Sequence, residues 1–398
     1  MMSDGRGVVI TGLGLVLPHG TGLRAADAVF DGRSAVRRLP LMEGIPDATG
    51  APVLEFTPLP GTEQADRAVQ FAVAATREAL ARANLVGEVD PYRVATVISL
   101  SKGGILTMAE ARRSGDADDL WRQAGPQAAA ASVAAHFHFA GPVVSPVTAC
   151  ASGGHALAWG AAMIERGAAD AAVVGAVEAS LHPLVLGSYR RMGVLAPGGD
   201  DPAASVRPFS ATRRGFAIGE GAGILVLESQ AGADRRGVRV LARLAGWACG
   251  SQASGLTEME EDGGTLAHLL STALGRARVT PEQVDYVNAH GTATLLNDRA
   301  EARAIRTALG DAADRINVSS TKGSHGHLLG AAAAVELVLT VLAIERGLVP
   351  PTANLTDPDP EIRLDCTPLE ARRRTIRCAV KTTSGFGGQA AAVVLVRP

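Results

Sequence analysis

The tetrapeptide Ile-Glu-Arg-Gly closes two alanine-rich segments of this 398-residue chain, at 164–167 and again at 344–347, an offset of 180 residues. Ahead of each lies the same succession: a β-branched apolar run (143–148 and 316–320), a short turn, then a stretch with helical periodicity. After each comes a glycine-rich turn opening an apolar strand, GEGAGILVLE at 219–228 and GFGGQAAAVVLV at 385–396. Four matching letters alone would be weak; their agreement with the order of elements points to a duplicated unit. Two copies of one unit must fold alike and bury their apolar faces on each other, which narrows the architecture more than any single motif does. The break falls in QAGADRRGVR, near 230–240, dividing the chain into halves at 1–235 and 236–398.

The rest of the chain fits that plan. Further short apolar runs read as buried strands at 8–11, 94–100, 171–177, 224–227, 284–288, 378–383 and 391–396. Helical periods occupy 67–83, 151–166, 265–276, 298–309 and 330–346. Alternation of the two predicts an α/β protein with covered sheets. Segments 196–208 and 115–125, rich in Gly and Asp, read as loops, the second as a possible lid.

Composition removes several functional classes. Lys plus Arg number 38 and Asp plus Glu 40, a net charge of −2, which argues against nucleic-acid binding through a basic surface. Aromatics are only 4% and glycines 46, as close helix-on-sheet packing requires. Four cysteines in so long a chain make no disulfide framework, and no Cys-x-x-Cys pair suggests zinc. The longest apolar stretch, 328–344, is interrupted by Glu336 and too short to cross a bilayer. The amino-terminal run lacks a basic region and a cleavage site, so a cytoplasmic protein with no membrane association is expected. No glycine run makes a phosphate cradle, and TGLGLV at 11–16 does not complete a dinucleotide fingerprint.

Chemistry concentrates at three strand-to-helix turns. Cys150 lies in PVTACASGGHALA, among small residues that leave room for a ligand beside the sulfur. A helix amino terminus there would lower the thiol pKa and favour the thiolate. A buried core cysteine is the plain alternative. His290 follows a strand in YVNAHGTATLLND, and His327 lies in SSTKGSHGHLLGAAAAVE with Lys322 and Glu336 placed to orient it. Either histidine alone could be structural; what counts is that all three residues occupy equivalent kinds of turn, Cys150 and His327 in related places of the two halves. The glycines of GFGG at 385–388 would let a backbone approach a ligand and point N–H groups at an oxyanion. A plain hairpin turn is the other reading.

Taken together, VTACASG, VNAHGTAT, SSTKGSHGHLLGAAAAVE and SGFGG resemble the β-ketoacyl-ACP synthases, specifically the elongating type with a Cys-His-His site. The resemblance runs through nearly the whole chain. It implies a thiolase-like fold of duplicated βαβαβαββ halves in a five-layered αβαβα arrangement. It implies that Cys150 takes an acyl chain as a thioester, and that His290 and His327 promote decarboxylation of a malonyl thioester. Lys322 and Glu336 would then set the charge and orientation of His327. Backbone N–H groups of Cys150 and Phe386 would form the oxyanion hole, with Phe386 at the gate. Thr292, Thr294, Gly387, Gly388 and Lys102 would contact substrate, and Asp298 and Glu301 would be structural acids. No cofactor or metal is implied beyond the phosphopantetheine of an acyl carrier protein. The implied partners are that carrier protein and a second ketosynthase-like chain, either a copy or a chain-length factor.

Departures from the pattern refine the expectation. Ser384 stands where housekeeping fatty-acid enzymes carry Phe, and Gln389-Ala390 where they carry Thr-Asn. SGFGGQ and NDRAE at 297–301 look closer to the ketosynthase subunit of type II polyketide synthases, with fatty-acid elongation and a non-catalytic chain-length factor as alternatives. Lys102 replaces an apolar residue of the acyl pocket, and His325 is atypical beside His327.

Overall fold

The computed structural model describes residues 7–39, 45–116 and 120–398. In the first half the main elements are β1 (Val8–Leu17), α1 (Arg67–Ala83), β2 (Val94–Leu100), α2 (Ala128–His136), β3 (Val143–Val144), α3 (Ser152–Glu165), β4 (Ala171–Glu178) and β5 (Gly221–Ser229). The second half repeats the order with β6 (Ala242–Ser251), α4 (Gly264–Ala277), β7 (Tyr286–Asn288), α5 (Leu295–Leu309), β8 (Asn317–Ser319), α6 (Ala332–Arg346), β9 (Cys378–Ser384) and β10 (Gln389–Val396). Both read βαβαβαββ.

These strands form one continuous sheet in the order β3-β2-β4-β5-β1-β6-β10-β9-β7-β8. Pairing is parallel between β2 and its two neighbours, and between β7 and its two neighbours. It is antiparallel everywhere toward the centre. The order is therefore palindromic about the β1–β6 pair, where Val8, Val9 and Ile10 face Leu244, Arg243 and Ala242. β6 has no counterpart among the runs read from the sequence. Its alternating buried and half-exposed residues, ARLAGWACGS, present no continuous apolar run.

Three apolar cores separate the layers. α1 and α2 cover the outer face of the first half-sheet through Phe71, Val73, Leu80 and Val133. α4 and α5 cover the second through Leu269, Leu270, Ala273 and Ile305. Between the half-sheets lie α3 and α6, whose Leu157, Ile164, Val335 and Leu339 share one core with β1, β5, β6 and β10. The outcome is five layers, α-β-α-β-α. α6 is buried along nearly its full length, which explains its apolar character without a membrane. No helix among the described residues is long and apolar enough to cross one. The two central helices touch closely: a Cβ on Gly153 would fall 2.3 Å from the backbone nitrogen of Ala334.

Two expectations need correction. The run at 143–148 forms a ladder only over Val143–Val144. Pro146 has no N–H to donate, and β3 is an edge strand with Val143 44% exposed, not a buried one. Segment 115–125 contains a helical turn at Leu120–Gln123, and residues 117–119 lie outside the described residues.

Candidate active site

Cys150 is the middle residue of a single 3-10 turn, Ala149–Ala151, that leads into α3. The same turn precedes α6 as Leu329–Ala331, again 180 residues on. Both turns begin with a non-glycine residue in the left-handed region, φ +48° at Ala149 and at Leu329. Such a conformation costs on the order of 1–3 kcal/mol and persists only where packing dictates it. The duplication therefore places Gly330, not His327, opposite Cys150. His327 lies three residues ahead, and the related placement read from the sequence holds only at the level of the loop.

The first half delivers the thiol and the second half delivers the imidazoles. His290 leaves the end of β7, and its backbone N–H donates to Glu301 Oε1 on α5 at 2.7 Å. Gly291 N–H donates to the other oxygen of Glu301, also at 2.7 Å. Asp298 on the same helix accepts from the N–H groups of Phe209 and Ala293, at 2.8 and 3.2 Å. Burial pushes the Asp298 carboxyl up to about 6 against the pull of these donors and of Arg213. The two acids thus tie down the loop that carries His290, Thr292 and Thr294. His327 is buried against the ring of Phe216, centroids 4.8 Å apart, and the two histidine rings meet edge to face at 5.3 Å.

Cys150, His290, His327, Thr292, Thr294 and Phe386 line one cavity of about 580 Å³. Tyr189, Phe216 and Ser384 line it too, and the sequence had singled out neither aromatic ring. The Tyr189 ring stacks on Phe386 at 6.1 Å between centroids. Thr292 and Thr294 share a hydroxyl hydrogen bond of 2.9 Å. The GFGG loop reaches the Cys150 turn through Gly385, where a Cβ would sit 2.8 Å from the Cys150 nitrogen. Gly387 and Gly388 do not line the cavity. Both have positive φ, and they turn the chain into β10, Gly388 lying against the carbonyl of Gln252. Lys102 also lies off the cavity wall, its ammonium paired with the buried Glu178 at 3.4 Å and facing the Tyr189 ring.

Lys322 and Glu336 sit behind the histidines, both fully buried and 2.5 Å apart. The Lys322 ammonium also donates to the His290 carbonyl at 2.5 Å and lies 3.4 Å from His290 Nδ1. It therefore orients His290 at least as directly as His327. The backbone N–H of Leu329 donates to His327 Nδ1 at 3.3 Å. With Nδ1 acting as acceptor in each ring, a neutral imidazole carries its proton on Nε2. Burial, reinforced by Lys322, holds both histidines well below the usual imidazole range, so they are neutral donors at physiological pH. His325 is buried beside them, with Nδ1 on the Gly326 carbonyl and Nε2 on the Thr321 hydroxyl, each at 2.8 Å. It staples the turn that carries Lys322 and His327.

The expected lowering of the thiol is opposed by burial. Burial pushes the Cys150 thiol up to about 11, and the nearby Lys102 and Lys322 ammonium groups only partly oppose it. Loss of water around the sulfur is the largest influence and favours the neutral thiol.

Comparison with known proteins fits this geometry. Residues 5–233 match the β-ketoacyl synthase amino-terminal domain, and residues 241–356 match its carboxy-terminal domain. The chain is 38% identical to the oxytetracycline polyketide putative β-ketoacyl synthase 1 of Streptomyces rimosus, over 99% of this chain and 98% of that protein. Its fold superposes with TM-score 0.92 on AntDE:AntF, a type II acyl carrier protein in complex with its ketosynthase bound to the hexaketide, at 34% identity over 99% of this chain and 100% of that one. The ishigamide ketosynthase/chain length factor gives TM-score 0.90 at 31% identity, over 99% and 100%. Both synthase domains match in order along the chain and a relative is 38% identical over 99% of it, so the chain belongs to the β-ketoacyl synthase family.

Proposed function

We propose that the chain is a ketosynthase that condenses a Cys150-bound acyl group with malonyl-ACP by decarboxylative Claisen chemistry, in a type II polyketide or polyene pathway. The observation that carries this reading is the shared cavity of one thiol and two Nε2–H imidazoles. In the first step the thiol attacks an acyl-ACP thioester; the acyl carbon moves to Sγ, and the proton leaves with the phosphopantetheine thiol. In the second, the two Nε2–H groups hold the malonyl thioester carbonyl. The bond to the carboxylate breaks, carbon dioxide departs, and the electron pair becomes an enolate stabilised by those donors. The enolate carbon attacks the acyl group on Cys150. The resulting oxyanion is received by the N–H groups of Cys150 and Phe386, each such donor supporting about 2.7–4 kcal/mol of barrier lowering. Collapse breaks the carbon–sulfur bond, gives β-ketoacyl-ACP and expels the Cys150 thiolate, which takes a proton from solvent. The chain's own side chains suffice for these steps, so no separate cofactor enters.

Residues 1–235 supply the nucleophile in this scheme, and 236–398 supply the histidines and the GFGG loop. Acyl carrier protein delivers both substrates. A second ketosynthase-like chain, a copy or a chain-length factor, completes the enzyme in the cytoplasm. Support comes from relatives and neighbours named as polyketide ketosynthases, one complexed with its carrier protein and one with a chain length factor.

The division of labour is testable in His327→Ala. Carbon dioxide release from malonyl-ACP should fall about 100-fold or more, on the order of one lost transition-state donor. Acyl loading of Cys150, read by intact mass, should fall less than tenfold. Equal loss of both steps would contradict the role given to His327.

A further inference from the structure

Three of the 38 basic residues are lysines, Lys102, Lys322 and Lys381. The third lies in β9, a strand in which every residue is buried, where an ammonium group is costly unless something demands it. Its Nζ makes an ion pair with Glu336 Oε2 at 2.8 Å, while Lys322 holds Oε1 of the same carboxylate. Its other contacts are backbone carbonyls, Asn288 at 3.3 Å and Thr382 at 2.5 Å. Asn288 is the last residue of β7, two before His290, whose own carbonyl takes a hydrogen bond from Lys322. The two ammonium groups, bridged by Glu336, therefore grip consecutive parts of the segment that presents His290.

We propose that Lys381 is a positioning residue for His290: it completes a buried Lys322–Glu336–Lys381 bridge that fixes the end of β7 and leaves a net positive charge behind the imidazole. This rests on the ketosynthase reading above and adds to it a residue which neither the motifs nor the cavity lining identifies. One lysine would neutralise Glu336; the second, whose ammonium burial disfavours and Glu336 supports, makes the bridge a net cation while it holds its proton. A cation behind a histidine disfavours imidazolium and preserves the neutral Nε2–H donor. Among the described residues, charged and titratable groups surround His290. They are Lys322, Glu336 and Lys381 behind it, His327 edge-on, Glu301 on its backbone, and Cys150 across the cavity. Burial lowers His290 most, and Lys322, His327 and Lys381 each lower it further. Glu336 is itself subject to burial, which would raise it, but the two lysines outweigh that and hold it below the usual carboxylate range.

The test uses the full chain with acyl-ACP and malonyl-ACP, following Cys150 acylation by intact mass and carbon dioxide release as functions of pH. Lys381→Gln keeps a donor for the Asn288 carbonyl and removes the charge; Lys381→Met is the apolar alternative, and whichever folds gives the reading. The acid limb of carbon dioxide release should move up by about 0.5–1 pH unit, the size expected for a nearby charge. Its plateau should fall about tenfold, while acylation at pH 8 changes less than threefold. Lys381→Arg should restore the wild-type limb. A charge-removing variant with the wild-type acid limb overturns the proposal, as does an arginine variant displaced as far as the glutamine. A wild-type protein that neither loads acyl groups nor releases carbon dioxide overturns the ketosynthase reading itself, and is distinguishable from both.

Discussion

Cys150 shows how a residue's chemistry follows from its surroundings more than from its position in a motif. The helix-terminal setting predicts a thiolate, but Cys150 is buried at the cavity wall, and burial pushes its thiol up to about 11. Its reactivity toward iodoacetamide should therefore rise with pH through the alkaline range, with a midpoint well above 9.0, the ordinary value for a cysteine. A midpoint near or below 8 would contradict the buried-thiol account. That Cys150, His290 and His327 belong to one candidate site was legible from the sequence because each sits in an uninterrupted motif at a strand-to-helix turn, and the structure brings all three to one cavity. Lys381 was not read from the sequence, since one polar letter in CAVKTTS carries no spacing signal. The usable clue was composition: a chain that otherwise uses arginine has only three lysines, two of them buried on Glu336. Gly387 and Gly388 illustrate the converse: their motif is clear, but their φ angles serve the turn into β10 and not the cavity.

The elements were legible wherever a run was fully apolar or strongly periodic. α1 is the clearest instance, observed at Arg67–Ala83 where periodicity places it, started by the Asp66 carboxylate accepting from Ala68 N–H and ended by Asn84 in the left-handed region. β6 escaped because it is amphipathic and contains glycines, although it joins the two halves. β3 was read too long because a β-branched run does not reveal which strand lies at an edge. The small residues of α3 have a definite purpose, as Gly153 admits the backbone of α6. Gly153→Ala should destabilise the protein by about 1–3 kcal/mol through overpacking between two buried helices, measured as a lower denaturant midpoint with unchanged slope. An unchanged midpoint would mean that the central layer is looser than described.

At the scale of the whole molecule, duplication makes the site possible. A palindromic sheet brings the turn before α3 and the loops after β7 and β8 to one cavity, so that each half contributes what the other lacks. The repeated IERG sequence revealed that plan, but not which residues face each other across it. The structure sets Gly330, not a second cysteine, at the position equivalent to Cys150, and Gly330 N–H donates to Glu178 at 3.2 Å. One copy of the turn thus carries a thiol, and the other a glycine that braces Glu178. The most direct test of this division is intact-mass measurement after incubation with acyl-ACP. Wild-type chain should gain one acyl group, and Cys150→Ala should gain none. An adduct that persists in Cys150→Ala, or none on the wild type, would contradict the account.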